Sequence, residues 1–204
     1  MDKGYWEKYY KSEEVHPPSL FAQSLLNKDI LSGDKLIEFG CGNGRDCMFF
    51  SHHGIQVLAV DQSKAAISSI AKSNSHPNLR LMNADFTSLD DLGKFNHVYS
   101  RFTMHSIKET EEDRVIKWSY DHLHSGGKLL IEARSIRNEL YKKGEPVPNE
   151  PHAYIYNDHY RRFIDTDKLH KKLEAEGFKV IYFEEQNGFG GETDQLFFRT
   201  IAKK

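Results

Sequence analysis

The chain has 204 residues, 38% hydrophobic and 28% charged, with a formal net charge of -2. That length suits one domain with a substantial core over residues 1–204, and the small net charge, with no basic tail, excludes a general grip on nucleic acid. No apolar run approaches the ~20 residues that cross a membrane, and "MDKGYWEKYYKSEE" lacks a signal-peptide core, so the expected location is the cytoplasm.

The first 30 residues stand ahead of any strand-like run and read as a helical cap. Tyr5, Trp6, Tyr9 and Tyr10 recur at i, i+1, i+4 and i+5, which gives a helix an aromatic face. Such a face either packs on the body or acts as a lid that excludes water. As a lid it would hinge at His16, Pro17 and Pro18, and Tyr5 and Tyr9 would touch substrate. Short apolar runs then predict strands at 35–39, 56–60, 79–84, 97–102 and 128–133. Helical stretches at 44–53, 63–72 and 110–124 fall between them. Residues 166–178 predict another helix, with Thr166 as N-cap and Gly177 as C-cap. Runs at 179–185 and 195–204 follow without a helix between them and should pair antiparallel. The fold class is therefore α/β: a doubly wound, mostly parallel sheet of seven strands, with a C-terminal antiparallel pair and a helical N-terminal cap. Residues 134–165 are too irregular for a crossover and are expected to cover the open end of the sheet, where ligands bind.

The loop after the first strand reads "EFGCGNGRD". Gly40, Gly42 and Gly44 let the backbone approach a ligand. A dinucleotide binder would show GxGxxG and seat a pyrophosphate on the helix N-terminus. Here Arg45 takes the place of the third glycine, and Glu38 and Asp46 flank the loop. Two carboxylates repel a pyrophosphate but attract an ammonium and a sulfonium. The acids therefore fit S-adenosylmethionine, which leaves as S-adenosylhomocysteine. Asp61 closes the second strand, where a carboxylate can accept both ribose hydroxyls; its plainer reading is a solvated strand-end acid. Asp85 can accept the adenine amino group and Phe86 can supply an apolar face; the competing reading is an N-cap acid followed by a core aromatic. Asn43, Gln62 and Ser100 complete the candidate cofactor set. Cys41 and Cys47 are read as reduced thiols. Two cysteines make a poor zinc site, and no metal is expected.

The fourth strand runs "HVYSRFTMHSI". Arg101 and His105, four apart, share a face if a helical turn follows the strand. They are the candidate catalytic pair, His105 as a general base or a substrate ligand and Arg101 as an anion ligand or a structural cation. "EARSIRNELYKKGEP" and "NDHYRRFID" add Arg134, Tyr160 and Arg161 as candidate substrate contacts. Arginine suits bidentate contact with carboxylate or phosphate. All these segments end at the sheet edge that carries the glycine loop, which implies a small, anionic partner molecule.

The series "EFGCGNG", "VLAVD", "NADF" and "LHSGGKLLIEAR" resembles the class I S-adenosylmethionine-dependent methyltransferases, from about residue 17 to the end. The resemblance implies a seven-stranded sheet with a final antiparallel hairpin, and cofactor roles for Gly40, Gly42, Asp61 and Asp85. Many family members that act on bases or amides carry a D/N-P-P-Y-like motif after the fourth strand. This chain does not, which points away from DNA and protein nitrogen. A narrower likeness, through "YWEKYY…PPSLFA", "RFTMHSI", "EARS" and "HYRRFID", is to small methyltransferases that tailor capsular polysaccharide or phosphonate-like metabolites. It implies an acceptor oxygen on a sugar derivative or a phosphorus oxyacid. A monomer or homodimer is expected. The rivals are an NAD-linked oxidoreductase, disfavoured by Arg45 and Glu38, and a non-catalytic S-adenosylmethionine-binding protein, disfavoured by the crowded acceptor edge.

Overall fold

A computed structural model describes residues 3–11, 16–73, 76–189 and 195–204. Two short helices, α1 (Lys3–Tyr9) and α2 (Leu20–Leu25), precede β1 (Lys35–Phe39). Alternation then begins with α3 (Arg45–His52), β2 (Gln56–Asp61), α4 (Lys64–Ser73) and β3 (Leu79–Asn83). It continues with β4 (Phe95–Arg101), α5 (Glu109–His122) and β5 (Leu123–Ala133). After a covering segment come α6 (Thr166–Glu176), β9 (Lys179–Asn187) and β10 (Leu196–Lys203).

The main sheet has seven strands in the order β3-β2-β1-β4-β5-β10-β9. The first five are mutually parallel, and β10 runs antiparallel to both neighbours. This is the predicted architecture. A strand exposes alternate residues to opposite faces, and here both faces are covered. Ile37, Phe39, Val98, Leu129 and Ile131 join the core under α5 and α6. Leu36, Val57, Tyr99 and Leu130 join the core under α2, α3 and α4. Apolar runs without strict alternation are the signature of such doubly covered strands. Among the described residues no helix is long and apolar enough to cross a membrane.

Three local expectations need correction. Residues 134–165 are not irregular throughout: β6 (Glu145–Pro146), β7 (Ala153–Tyr156) and β8 (His159–Arg162) form a small antiparallel sheet. Sheet pairing satisfies the backbone groups that an irregular cover would leave open. The helix at 166–178 is capped by Asp165, whose side chain accepts from the Lys168 amide at 3.1 Å; Thr166 is already inside the helix. Gly177 closes it as predicted, in the left-handed region at φ 108°. The N-terminal cap is two separate short helices, and α2 belongs to the core through Phe21, Ala22 and Leu25.

Asp46, expected to face a cationic ligand, lines the cavity at the sheet edge and also pins α2 to α3 and β4. Its Oδ1 accepts from the Ser19 amide at 2.7 Å, and its Oδ2 accepts from the Ser19 and Tyr99 hydroxyls at 2.8 Å each. Ser19 in turn caps α2 by accepting from the Ala22 amide at 3.0 Å. Asp46 is 1% exposed, so these donors have no water to fall back on. Asp46→Asn puts an amide donor against donors and is expected to cost about 2–4 kcal/mol in urea unfolding, on the scale of charge-assisted and unsatisfied buried hydrogen bonds. An unchanged midpoint would show that the pin is dispensable.

Candidate functional site

A cavity of about 320 Å³ lies at the carboxyl ends of β1, β2 and β4, where the strand order reverses direction about β1. Open α/β sheets bind ligands at such a switch point. The floor is the loop after β1: Glu38, Gly40, Cys41, Gly42 and Asn43 line the cavity. Asp61 and Gln62 come from the end of β2, and Phe86 from the 3₁₀ turn after β3. Arg101, Phe102, Thr103 and Ser106 come from the end of β4 and the turn after it. The roof is α1 and its end, through Trp6, Tyr9 and Tyr10.

The glycines are required where the loop is crowded. Gly40 has φ 64°, and a Cβ there would collide with the Thr103 methyl group. Gly42 has φ 54°, and a Cβ there would sit 2.6 Å from the Tyr10 hydroxyl. Asp61 fixes the loop from the side. Its Oδ2 accepts from the Gly42 amide at 2.9 Å and its Oδ1 from the Ser63 amide at 2.8 Å. Burial pushes the Asp61 carboxyl up, and those two amides pull it back. Each oxygen keeps a lone pair for a ligand donor. Glu38 is 5% exposed and its Oε2 has no partner among the described residues. Burial, then Cys47, Asp46 and Asp61, raise its carboxyl well above the usual range, against the pull of Arg101. A cationic or donating ligand would relieve that arrangement. The Gln62 amide nitrogen is likewise buried without a partner.

Beyond β4 the site turns cationic. Phe102 has φ 57°, a strained value for an aromatic residue. Its ring meets the Arg101 guanidinium at 4.1 Å and the Arg134 guanidinium at 5.1 Å. Arg101 is neutralised: Glu132, fully buried, accepts from Arg101 Nε at 2.8 Å and from Arg199 Nε at 2.6 Å. Arg134 is not. It donates to His105 Nε2 at 3.4 Å and to the Gln195 carbonyl at 3.2 Å, and its Nε is buried without a partner. Burial, Arg161 and Arg101 lower Arg134 to about 10. Arg161 is half-buried and makes no ion pair among the described residues; burial lowers its pKa too. His105 is 3% exposed, and burial followed by Arg134, Arg161, His159 and Arg162 holds it well below its ordinary pKa. Arginine has no acceptor, so His105 Nε2 accepts in that contact and the ring proton sits on Nδ1. The small sheet is tied to this region by Arg162, which donates to the Ile107 carbonyl at 2.9 Å and pairs with Glu112.

Residues 36–127 match the family model "Methyltransferase domain". The uncharacterized protein MJ1252 of Methanocaldococcus jannaschii is 19% identical over 97% of this chain and 81% of its own length. A probable S-adenosyl-L-methionine-dependent methyltransferase, TehB of Haemophilus influenzae, is 24% identical over 67% of this chain and 46% of its own length, so the match spans about half of that relative. A solved S-adenosylmethionine-dependent methyltransferase from Methanosarcina mazei superposes with a TM-score of 0.76 at 18% identity, covering 93% of this chain and 99% of that one. The chain shares the fold of that solved methyltransferase, and its residues 36–127 match a methyltransferase domain.

The residues of the cavity suit S-adenosylmethionine on their own terms. The unpartnered Glu38 and Gln62 atoms and the glycine floor leave room for a polar, cationic group. Of the predicted cofactor residues, Glu38, Gly40, Gly42, Asn43, Asp61, Gln62 and Phe86 line one cavity. Asp85 does not. It is exposed, and its Oδ1 caps the 3₁₀ turn by accepting from the Thr87 amide and hydroxyl at 2.9 and 2.8 Å. Ser100 also stands behind the wall, fully buried with its hydroxyl on Thr103. Arg101 and His105 have different partners: Arg101 turns to Glu132, and His105 to Arg134. Tyr9 lines the cavity, whereas Tyr5 stacks on His159 with centroids 4.2 Å apart. Tyr160 gives its hydroxyl to Glu150 at 2.7 Å. Glu132 and Thr103 went unmarked in the sequence; an acid inside the apolar run "LLIEA" was the available signal for the first.

His105 has a folded pKa below its unfolded value of about 6.5, so below that pH the unfolded chain binds the extra proton. The His105 contribution to stability is therefore whole above pH 6.5 and declines as the pH falls. Between pH 6.5 and 5 the protein should lose about 1–2 kcal/mol more in urea unfolding than His105→Gln does. Parallel pH profiles for the two would count against a neutral, buried imidazole.

Proposed function

We propose that this protein is a methyltransferase that transfers the methyl group of S-adenosylmethionine to an oxygen of a small, anionic molecule. Glu38 answers the positive charge of the cofactor, and Asp61 accepts hydroxyl protons with its remaining lone pairs. The loop amides, Asn43, Gln62 and Phe86 complete the cofactor side. The cofactor supplies a methyl group made electrophilic by the sulfonium. The chain aligns the acceptor with that methyl, excludes water under α1, and holds the acceptor charge.

The observation that carries the anionic reading is the pair Arg134 and Arg161. Neither makes an ion pair among the described residues, and both lower the pKa of His105 at the same sheet edge as the cavity. Uncompensated buried cations are costly unless an anion arrives. His105, held neutral and weakly basic, fits a hydrogen-bonding role better than proton abstraction. An acceptor oxygen that is already ionised, such as that of a phosphorus oxyacid or an acidic sugar derivative, needs no base. Arg101, neutralised by Glu132, serves as a donor on the cavity wall.

Calorimetry is expected to show binding of S-adenosylmethionine and none of NAD. Asp61→Ala should weaken the cofactor by about 1–3 kcal/mol, the scale of a hydrogen bond to a charged group. With an acceptor found by incubating labelled S-adenosylmethionine with a metabolite extract, Arg134→Ala and Arg161→Ala should each raise KM by about tenfold or more, with a smaller change in kcat. A neutral acceptor with unchanged KM in both variants would sink the anionic reading and leave the cofactor reading intact.

A further inference from the structure

Helix α1 roofs the cavity, and one carboxylate fastens it. Glu7 Oε2 accepts from the Ser63 hydroxyl at 2.8 Å and from the Ala65 amide at 3.2 Å, at the start of α4. First-turn amides lack intrahelical acceptors and carry partial positive charge, so an anion is well placed there. Ser63 is fully buried and shared between two tasks. Its amide donates to Asp61 Oδ1 at 2.8 Å, while its oxygen accepts from the Ala66 amide at 3.2 Å and its proton goes to Glu7. The peptide that holds Asp61 toward the cavity is thus the one that holds the roof. The bonds from Ser63 and Ala65, with help from Lys11, keep the Glu7 carboxyl below its usual range and therefore ionised at neutral pH.

Ring contacts also hold α1. Tyr5 stacks on His159, and Trp6 stacks on Tyr10, which covers Gly42. Ring contacts of this kind tolerate sliding, whereas a two-donor carboxylate has one register. Trp6, Tyr9 and Tyr10 form a wall of the cavity, so movement of α1 would widen the way in for a ligand of nucleoside size. We propose that Glu7 is a positioning residue: a latch that holds α1 closed over the cofactor cavity by docking on Ser63 and Ala65. The latch rests on the proposed function only for the identity of the enclosed ligand.

Trp6 reports on the latch directly. The chain has two tryptophans, Trp6 and Trp118, so the Trp6 share of the emission is the difference between the protein and its Trp6→Phe variant. Acrylamide quenching is measured on the full chain without cofactor, and dissociation of S-adenosylhomocysteine by stopped flow. Glu7→Ala should raise Trp6 quenching about twofold or more and speed S-adenosylhomocysteine release about fivefold or more, as expected for a loosened lid. Glu7→Gln keeps an acceptor oxygen and should recover most of the protection. Ser63→Ala, which leaves α1 untouched, should move both readouts in the direction of Glu7→Ala. Quenching unchanged in both alanine variants overturns the latch. If quenching rises while S-adenosylhomocysteine fails to bind the unaltered protein, the latch stands and the cofactor reading falls.

Discussion

The buried carboxylate of Asp61 is the constraint on which the cofactor side depends. It stands at the end of β2 and accepts an amide from the glycine loop and another from the residue before α4. Those bonds join the loop after β1 to the loop after β2, beside the switch point between β1 and β4. A buried carboxylate that accepts two amides is oriented far more strictly than a solvated one, because losing either bond leaves charge without compensation. Burial alone would drive the proton back onto Asp61, and the two amides oppose it. The loop is therefore shaped before any ligand arrives, and the glycines serve that shape by making room for Thr103 and Tyr10.

Charge is divided across the site in a fixed order. Glu38, Asp46 and Asp61 line one side of the cavity, with Asp46 also engaged by Ser19 and Tyr99. Glu132 lies between Arg101 and Arg199, which leaves that centre close to neutral. Arg134 and Arg161, which make no ion pair among the described residues, then stand on the far side. A buried pair such as Arg101 with Glu132 adds little net stability but fixes geometry. Here it holds the Arg101 guanidinium at the cavity wall, over the ring of Phe102. Phe102 itself takes a left-handed backbone conformation, and strain of that kind persists only where the surroundings impose it. The ring lies between one compensated and one uncompensated arginine, at the boundary of the two halves.

The small sheet after β5 completes the edge without entering the core of the main sheet. Arg162 anchors it by bonding the carbonyl after the turn at Met104–Ser106 and by pairing with Glu112 of α5. Arg162, together with the Lys108–Glu150 pair, couples this covering segment to the segment that carries His105. Its neighbour Arg161 keeps its charge unspent. Two adjacent arginines thus have opposite fates, set by which face of β8 each occupies.

Periodicity and punctuation in the sequence determined the sheet. The runs at 35–39, 56–60 and 79–84 became β1, β2 and β3 almost residue for residue, because a doubly covered strand is apolar on both faces. The glycine loop and Asp61 were legible for the same local reason: a strand, a tight loop and a helix fix their own geometry. The two readings of Asp85 stayed open in sequence, and its local bonds to Thr87 give it the capping role. The partners of Asp46, Ser19 and Tyr99, are distant in the chain, so only the tertiary structure shows that it also pins two helices. The same holds for the arginines. Which of them is neutralised depends on Glu132, which meets Arg101 only once β4 and β5 lie side by side.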